Sequence, residues 1–241
     1  MTLRVRLARI AVLASAAVAL AAPSAARADS LLVNANDDRP ATVSADRLYE
    51  LADDAATRWH FSVDGNTGAR VGARDGTQAA GFSDAIDPKV LGVTTVWTRP
   101  HYKLKKTRRC SSVRGRRVCK TTRRYVKTRD EVVEKDVQLN PFVKWQEGPA
   151  YPAADEYDLE STILHEFGHF SHPLIDNHVF GCENSPMIAS ISPGEFWRDS
   201  DDWLRYRCSQ STGPRARRTV PAGPALPMLV QEHRLPRSID R

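Results

Sequence analysis

The sequence predicts an α+β fold on three features. An amphipathic stretch at 43–59 puts Leu48, Leu51, Ala52, Ala55, Ala56 and Trp59 on one helical face. Runs rich in Val, Thr, Tyr and Trp follow between about 60 and 139. A second helical stretch comes only after them, from about Leu159 to Ser171. Strands grouped between helices, rather than alternating with them, indicate helices segregated from a sheet.

The chain opens on an address. Arg4, Arg6 and Arg9 precede an apolar stretch at 10–22, and Ala26-Arg27-Ala28 supplies small residues at a cleavage site. This is the three-part pattern of a secretory signal peptide spanning residues 1–28. Its apolar core falls well short of the roughly 20 residues of a spanning helix. The expected mature chain begins near Asp29, is secreted and extracellular, and has no membrane span. At 241 residues, 41% hydrophobic and 27% charged, the chain is too ordinary in composition for wholesale disorder, collagen or a long coiled coil.

Further elements follow in order. His60 to Val63 reads as a short strand, Asp64 to Gly68 as a turn, and the Gly-containing stretch up to Asp87 as loop with edge pairing. Val90 to Thr98 and Glu131 to Leu139 read as strands, the latter closed by Asn140-Pro141. The second helix has Asp158 as N-cap and Pro173 as its stop. Another helix is expected near 200–207. Residues 212–241, rich in Pro and Arg, read as a flexible tail.

Charge is strongly segregated. Residues 99–129 hold fourteen Lys or Arg and no Asp or Glu. The formal net charge of +6 therefore hides an acidic body, at −16 over residues 29–98 and 130–211. A basic arm on an acidic body can orient a protein toward a polyanionic surface polymer. Export and the scarcity of aromatics in the arm, essentially Tyr102 and Tyr125, argue against a nucleic-acid partner.

Four cysteines, Cys110, Cys119, Cys182 and Cys208, are an even count for an exported chain and predict two disulfides. The arm reads as two strands about an Arg114-Gly115 turn. Counting outward from the turn sets Cys110 opposite Cys119, in a non-hydrogen-bonded pair with Cα atoms about 4.5 Å apart. Cys182 and Cys208 are left for each other. No Cys-x-x-Cys spacing occurs, so a zinc site built from these four is not expected.

The chemistry is concentrated in Leu164-His165-Glu166-Phe167-Gly168-His169. On a helix, His165 and His169 project from one face a turn apart, so their imidazoles can converge on one Zn2+. Glu166 is then free to act as general base. Zinc lowers the pKa of a coordinated water to roughly 7. Ile163, Phe167 and Phe170 form an apolar face opposite, which would pack the helix and aim the histidines at a cleft. A third ligand is required. His172 stands about 10.5 Å along the axis from His165 at 1.5 Å per residue, too far for three ligands on one straight helix. His178 is favoured as an imidazole beyond the helix. Asp176 and His172 are the alternatives, followed by Glu183 and Glu195.

The stretch from Tyr157 to Cys208 resembles the catalytic region of the metzincin zinc peptidases, above all the matrixin-like secreted bacterial ones. The family motif is His-Glu-x-x-His-x-x-Gly-x-x-His. His165, Glu166 and His169 match its first part, but His172 stands where the glycine belongs and Ile175 where the third histidine belongs. An insertion of about three residues would bring His178 into the ligand role. Ser185-Pro186-Met187 resembles the family's methionine turn beneath the metal, with Met187 its methionine. The resemblance implies a metzincin-like fold: a small twisted mixed sheet packed on helices, the active-site helix at the cleft, and here a basic β-hairpin insertion. It implies a catalytic domain at 29–211 that holds one catalytic zinc ion. The acidic loops contain no recognisable calcium-ligand spacing.

The expected function is that of a secreted zinc-dependent endopeptidase acting on peptide or protein substrates, with Glu166 as general base. The alternative is a non-catalytic zinc module that binds peptide or a polyanionic polymer through the arm.

Overall fold

A computed structural model describes residues 30–66, 70–172, 187–196, 216–217 and 223–240. The chain enters through strand β1 (Ser30–Asn34), helix α1 (Ala45–Arg58), and strands β2 (Ser62–Asn66) and β3 (Ala79–Phe82). Two long strands follow, β4 (Gly92–Val113) and β5 (Arg116–Leu139), then the short β6 (Trp145–Gln146) and β7 (Tyr157–Asp158). Helix α2 (Leu159–Ser171) comes next. After it lie β8 (Ser190–Ile191), β9 (Glu195–Phe196), β10 (Ala216–Arg217), β11 (Leu226–Arg234) and β12 (Ser238–Asp240).

The main sheet runs β2-β1-β3-β5-β4-β11-β8, with β12 on β4 farther along. It is mixed. β1, β2, β3 and β5 are parallel, β4 is antiparallel to β5, and β11 is parallel to β4. The α+β class and the mixed sheet of the sequence reading hold at this level. Among the described residues, no helix is long and apolar enough to cross a membrane.

Helix α1 forms where its periodicity places it. The Ser44 side chain accepts from the Arg47 amide at 3.1 Å, and Leu48, Leu51, Ala52, Ala55 and Ala56 are buried. Asp158 caps α2 as expected, accepting from the Ser161 amide at 2.9 Å. The two helices pack on each other, and α2 also lies against β4 and β5.

Three sequence expectations need correction. The turn expected at 64–68 is strand as far as Asn66, because β1 pairs with it from Ser30↔Ser62 to Asn34↔Asn66 and fixes the extended backbone. The loop expected to offer only edge pairing contains β3, a buried strand between β1 and β5. Its small residues suit that place: a Cβ on Gly81 would lie 2.4 Å from the Asn34 carbonyl oxygen. Within the supposed flexible tail, Ala216–Arg217, Leu226–Arg234 and Ser238–Asp240 are strands. Met228 to Arg234 pair with Gly92 to Thr98, and Met228 is fully buried. Pro and Arg mask a short apolar run, Leu226-Pro227-Met228-Leu229-Val230, that has an open edge of β4 to pair with. The signal segment, the helix expected near 200–207, and Cys182 and Cys208 lie outside the described residues.

The basic arm is continuous with the core, since β4 and β5 run out of the sheet as one ribbon. Its register is the expected one, with Val113↔Arg116 at the turn and Cys110↔Cys119 joined by a disulfide, Cα atoms 3.9 Å apart. Arg114 and Gly115 have φ of 50° and 74°, the positive values that a two-residue hairpin turn requires.

Where the arm leaves the sheet, the His101 imidazole is clamped by Asp240 on Nδ1 and Glu131 on Nε2, both at 2.8 Å. The Asp240 hydrogen bond and then the Glu131 one raise its pKa above 6.5, against desolvation and nearby Arg129. Both carboxyls are lowered by the same contacts. The imidazolium contribution to β12 docking is therefore complete below pH 6.5 and is lost as pH rises through the raised value. The carboxylate contributions are present above their ordinary values and are lost as pH falls through the lowered ones. An NMR titration of the His101 ring should give a midpoint above 6.5, and Asp240→Asn should lower it. An unchanged midpoint in that variant would show that the clamp does not form in solution.

Candidate metal centre

Helix α2 sets the two motif histidines on one face, and their Nε2 atoms approach to 3.1 Å with the rings tilted at 74°. Two ligands of one tetrahedral zinc, with Zn–N bonds of 2.0–2.1 Å, have nitrogens about 3.3 Å apart. The pair thus fits a zinc ion, both by donor type and by the convergence of its nitrogens. His165, Glu166 and His169 are each 0% exposed. The cleft face expected for the histidines is therefore covered, and α2 is buried almost all round, from Leu159 to Phe170 apart from Glu160.

Glu166 points at the sheet. Its Oε2 accepts from the Thr94 hydroxyl at 2.6 Å, and the same hydroxyl lies 3.0 Å from the Glu166 carbonyl oxygen. Oε1 is buried with no hydrogen-bond partner. Burial pushes the carboxyl up to about 8, against the lowering effect of the Thr94 hydrogen bonds. A buried carboxyl with one oxygen held and the other uncommitted is poised to accept and return a proton. Gly92 makes room for it. A Cβ there would stand 2.8 Å from both Cγ and Oε1 of Glu166.

The helix is fixed on its other sides. Trp59 Nε1 donates to the Leu164 carbonyl at 2.7 Å. Phe61 packs on Phe167 and Phe170, with ring centroids at 5.3 and 4.9 Å. Lys135 Nζ donates to the Phe170 carbonyl at 2.7 Å and lies 4.1 Å from the Phe170 ring centre. A cation suits the negative end of a helix dipole.

Met187 is buried beneath α2 beside the motif. A Cβ on Gly168 would fall 2.4 Å from its Sδ and 2.6 Å from a Trp59 ring carbon. Gly168→Ala gains roughly 1 kcal/mol of helix propensity, but overpacking against the Met187 sulfur and the Trp59 ring costs about 1–3 kcal/mol. With Met187 and Trp59 both inside contact distance, the clash should win. Chemical denaturation of Gly168→Ala should show a lowered midpoint. A raised midpoint would mean that these neighbours yield freely.

Among the described residues, no group of three or more His, Cys, Asp or Glu side chains is placed to hold a metal. His172 ends α2, exposed, with its ring 6.0 Å from that of Trp59, and it does not join His165 and His169. Glu195 accepts from the Ser192 amide at 2.9 Å and is part of no such group. The favoured ligand His178, and with it Asp176 and Glu183, lies outside the described residues.

Thr94, Gly92 and Lys135 escaped the sequence reading. Thr94 is one of several β-branched residues in a strand, and nothing local marks it. Gly92 did carry a signal, since a glycine inside a β-branched strand marks a close approach. Compared with known proteins, the chain matches no family model, no curated sequence and no solved structure.

Proposed function

We propose that the chain is a zinc-dependent endopeptidase in which His165 and His169 hold the metal and Glu166 is the general base. One observation carries the reading: two buried imidazole nitrogens converge to 3.1 Å beside a buried carboxyl whose Oε1 has no partner. The His-Glu-x-x-His spacing and its resemblance to metzincin peptidases support it. When bound, zinc supplies Lewis-acid polarisation of a substrate carbonyl and lowers the pKa of water.

The chain's own residues supply the proton movements. Thr94 holds Oε2 and so fixes the plane of the carboxyl. Oε1 takes a proton from the attacking water, and the resulting carboxylic acid delivers it to the leaving amine. An extended peptide adds along a strand edge. On that side β11 covers β4 from Gly92 to Thr98 and β8 in turn covers the start of β11, so among the described residues the edge that remains is β11 from Leu229 on.

The test is hydrolysis of casein and of a quenched peptide library by the full chain. Activity should vanish with a chelator and return on adding zinc. A metal-loaded, folded chain that cleaves neither substrate is the non-catalytic zinc module instead.

A further inference from the structure

The arm is built against its own charge. Between Lys103 and Lys127 lie twelve Lys or Arg and no acid. The register sets like charges directly opposite one another at Lys105↔Arg124, Lys106↔Arg123 and Arg109↔Lys120. Such pairs destabilise a hairpin. None of these six cations has an ion-pair partner among the described residues. The Cys110–Cys119 disulfide joins the strands one rung beyond Arg109↔Lys120, on the turn side, and holds together what the charges push apart.

Both faces of the ribbon meet solvent from Lys103 outward, where almost every residue is exposed. Residues that pair across an antiparallel ribbon share a face, and same-face residues recur about every 6.6–6.8 Å along each strand. One face presents Lys103, Lys105, Arg109, Arg116, Lys120 and Arg124, with no aromatic among them. The other carries Tyr102 and Tyr125, and Arg237 lies over the Tyr125 ring at 5.9 Å. A stapled row of unpaired cations without a stacking platform is suited to repeating anionic charge and not to bases.

We propose that the aromatic-free face of this arm docks a linear phosphodiester polymer that carries no bases, of the kind displayed on a cell surface. The polymer neutralises the facing cation pairs, so binding relieves repulsion already present in the free ribbon. This rests on the arm alone and is independent of the metal-site reading.

The probe is synthetic poly(glycerol phosphate), titrated into the full-length chain at several salt concentrations. Engaging the six cations of one face predicts a slope of log K against log[salt] of about −4. Combined Lys105→Gln, Arg109→Gln, Lys120→Gln and Arg124→Gln substitution removes two opposed like-charge pairs, so the ribbon should keep its fold and bind at least 10-fold more weakly. Arg74→Gln with Lys89→Gln, on exposed cations of the body, should bind as the wild type does. A chelator should leave binding unchanged. Single-stranded DNA of equal phosphate number should bind no tighter than the probe. Undiminished binding by the fourfold variant overturns the proposal, and so does DNA binding 10-fold tighter than the probe, which makes the arm a nucleic-acid surface.

Discussion

Glu166→Gln is expected to cut kcat/KM on a quenched peptide by on the order of 10²–10⁴, the range that a positioned general base contributes, while the protein keeps its fold and its zinc. Glutamine is close in shape to the carboxyl, so it fits beneath Gly92 and can still accept from Thr94 through its amide oxygen. What it cannot do is take the proton at Oε1. Its amide nitrogen also needs an acceptor in a place where Oε1 has no partner, so a small loss of stability should accompany the loss of rate. The informative pair of readings is zinc content and turnover on one preparation. Unchanged zinc with turnover lost assigns Glu166 to the chemistry. Unchanged zinc with turnover retained removes it from the mechanism.

The second large effect concerns the ligands. His165→Ala and His169→Ala should each weaken zinc binding by well over the roughly 10–100-fold that loss of an outer-shell partner costs. Of the residues beyond the helix, His178→Ala should do the same, and Asp176→Ala should do so if the carboxylate is the ligand in its place. His172→Ala should retain zinc, because that ring lies by Trp59 and apart from the pair. A chelator competition series reads all five variants on one scale. Loss of zinc in His172→Ala equal to that in His165→Ala would reverse the assignment.

Much of this architecture is local and therefore legible in the residues. The apolar spacing of Leu48, Leu51, Ala55 and Ala56 and the Asp158 cap fix both helices within a residue or two. The arm's register follows from counting outward from Arg114-Gly115. The joining of β4 and β5 to the arm does not follow, because two strand runs and a hairpin read in sequence as separate pieces. Strands β3 and β11 do not show in the sequence for a related reason. Ala79 to Phe82 and Leu226 to Arg234 are weak strand formers that owe their conformation to partners far along the chain. In the site, the histidine pair was legible from spacing alone. Its burial and the Thr94 contact were not, since both depend on how β4 passes the helix.

Zinc retention by the purified wild-type chain tests the central claim most directly. Elemental analysis after exhaustive dialysis should find close to one equivalent of zinc per chain, lost in His165→Ala, with a lowered Tm once the metal is stripped. A well-folded wild type that retains no transition metal from zinc-supplemented buffer, and whose Tm is indifferent to a chelator, would contradict the account.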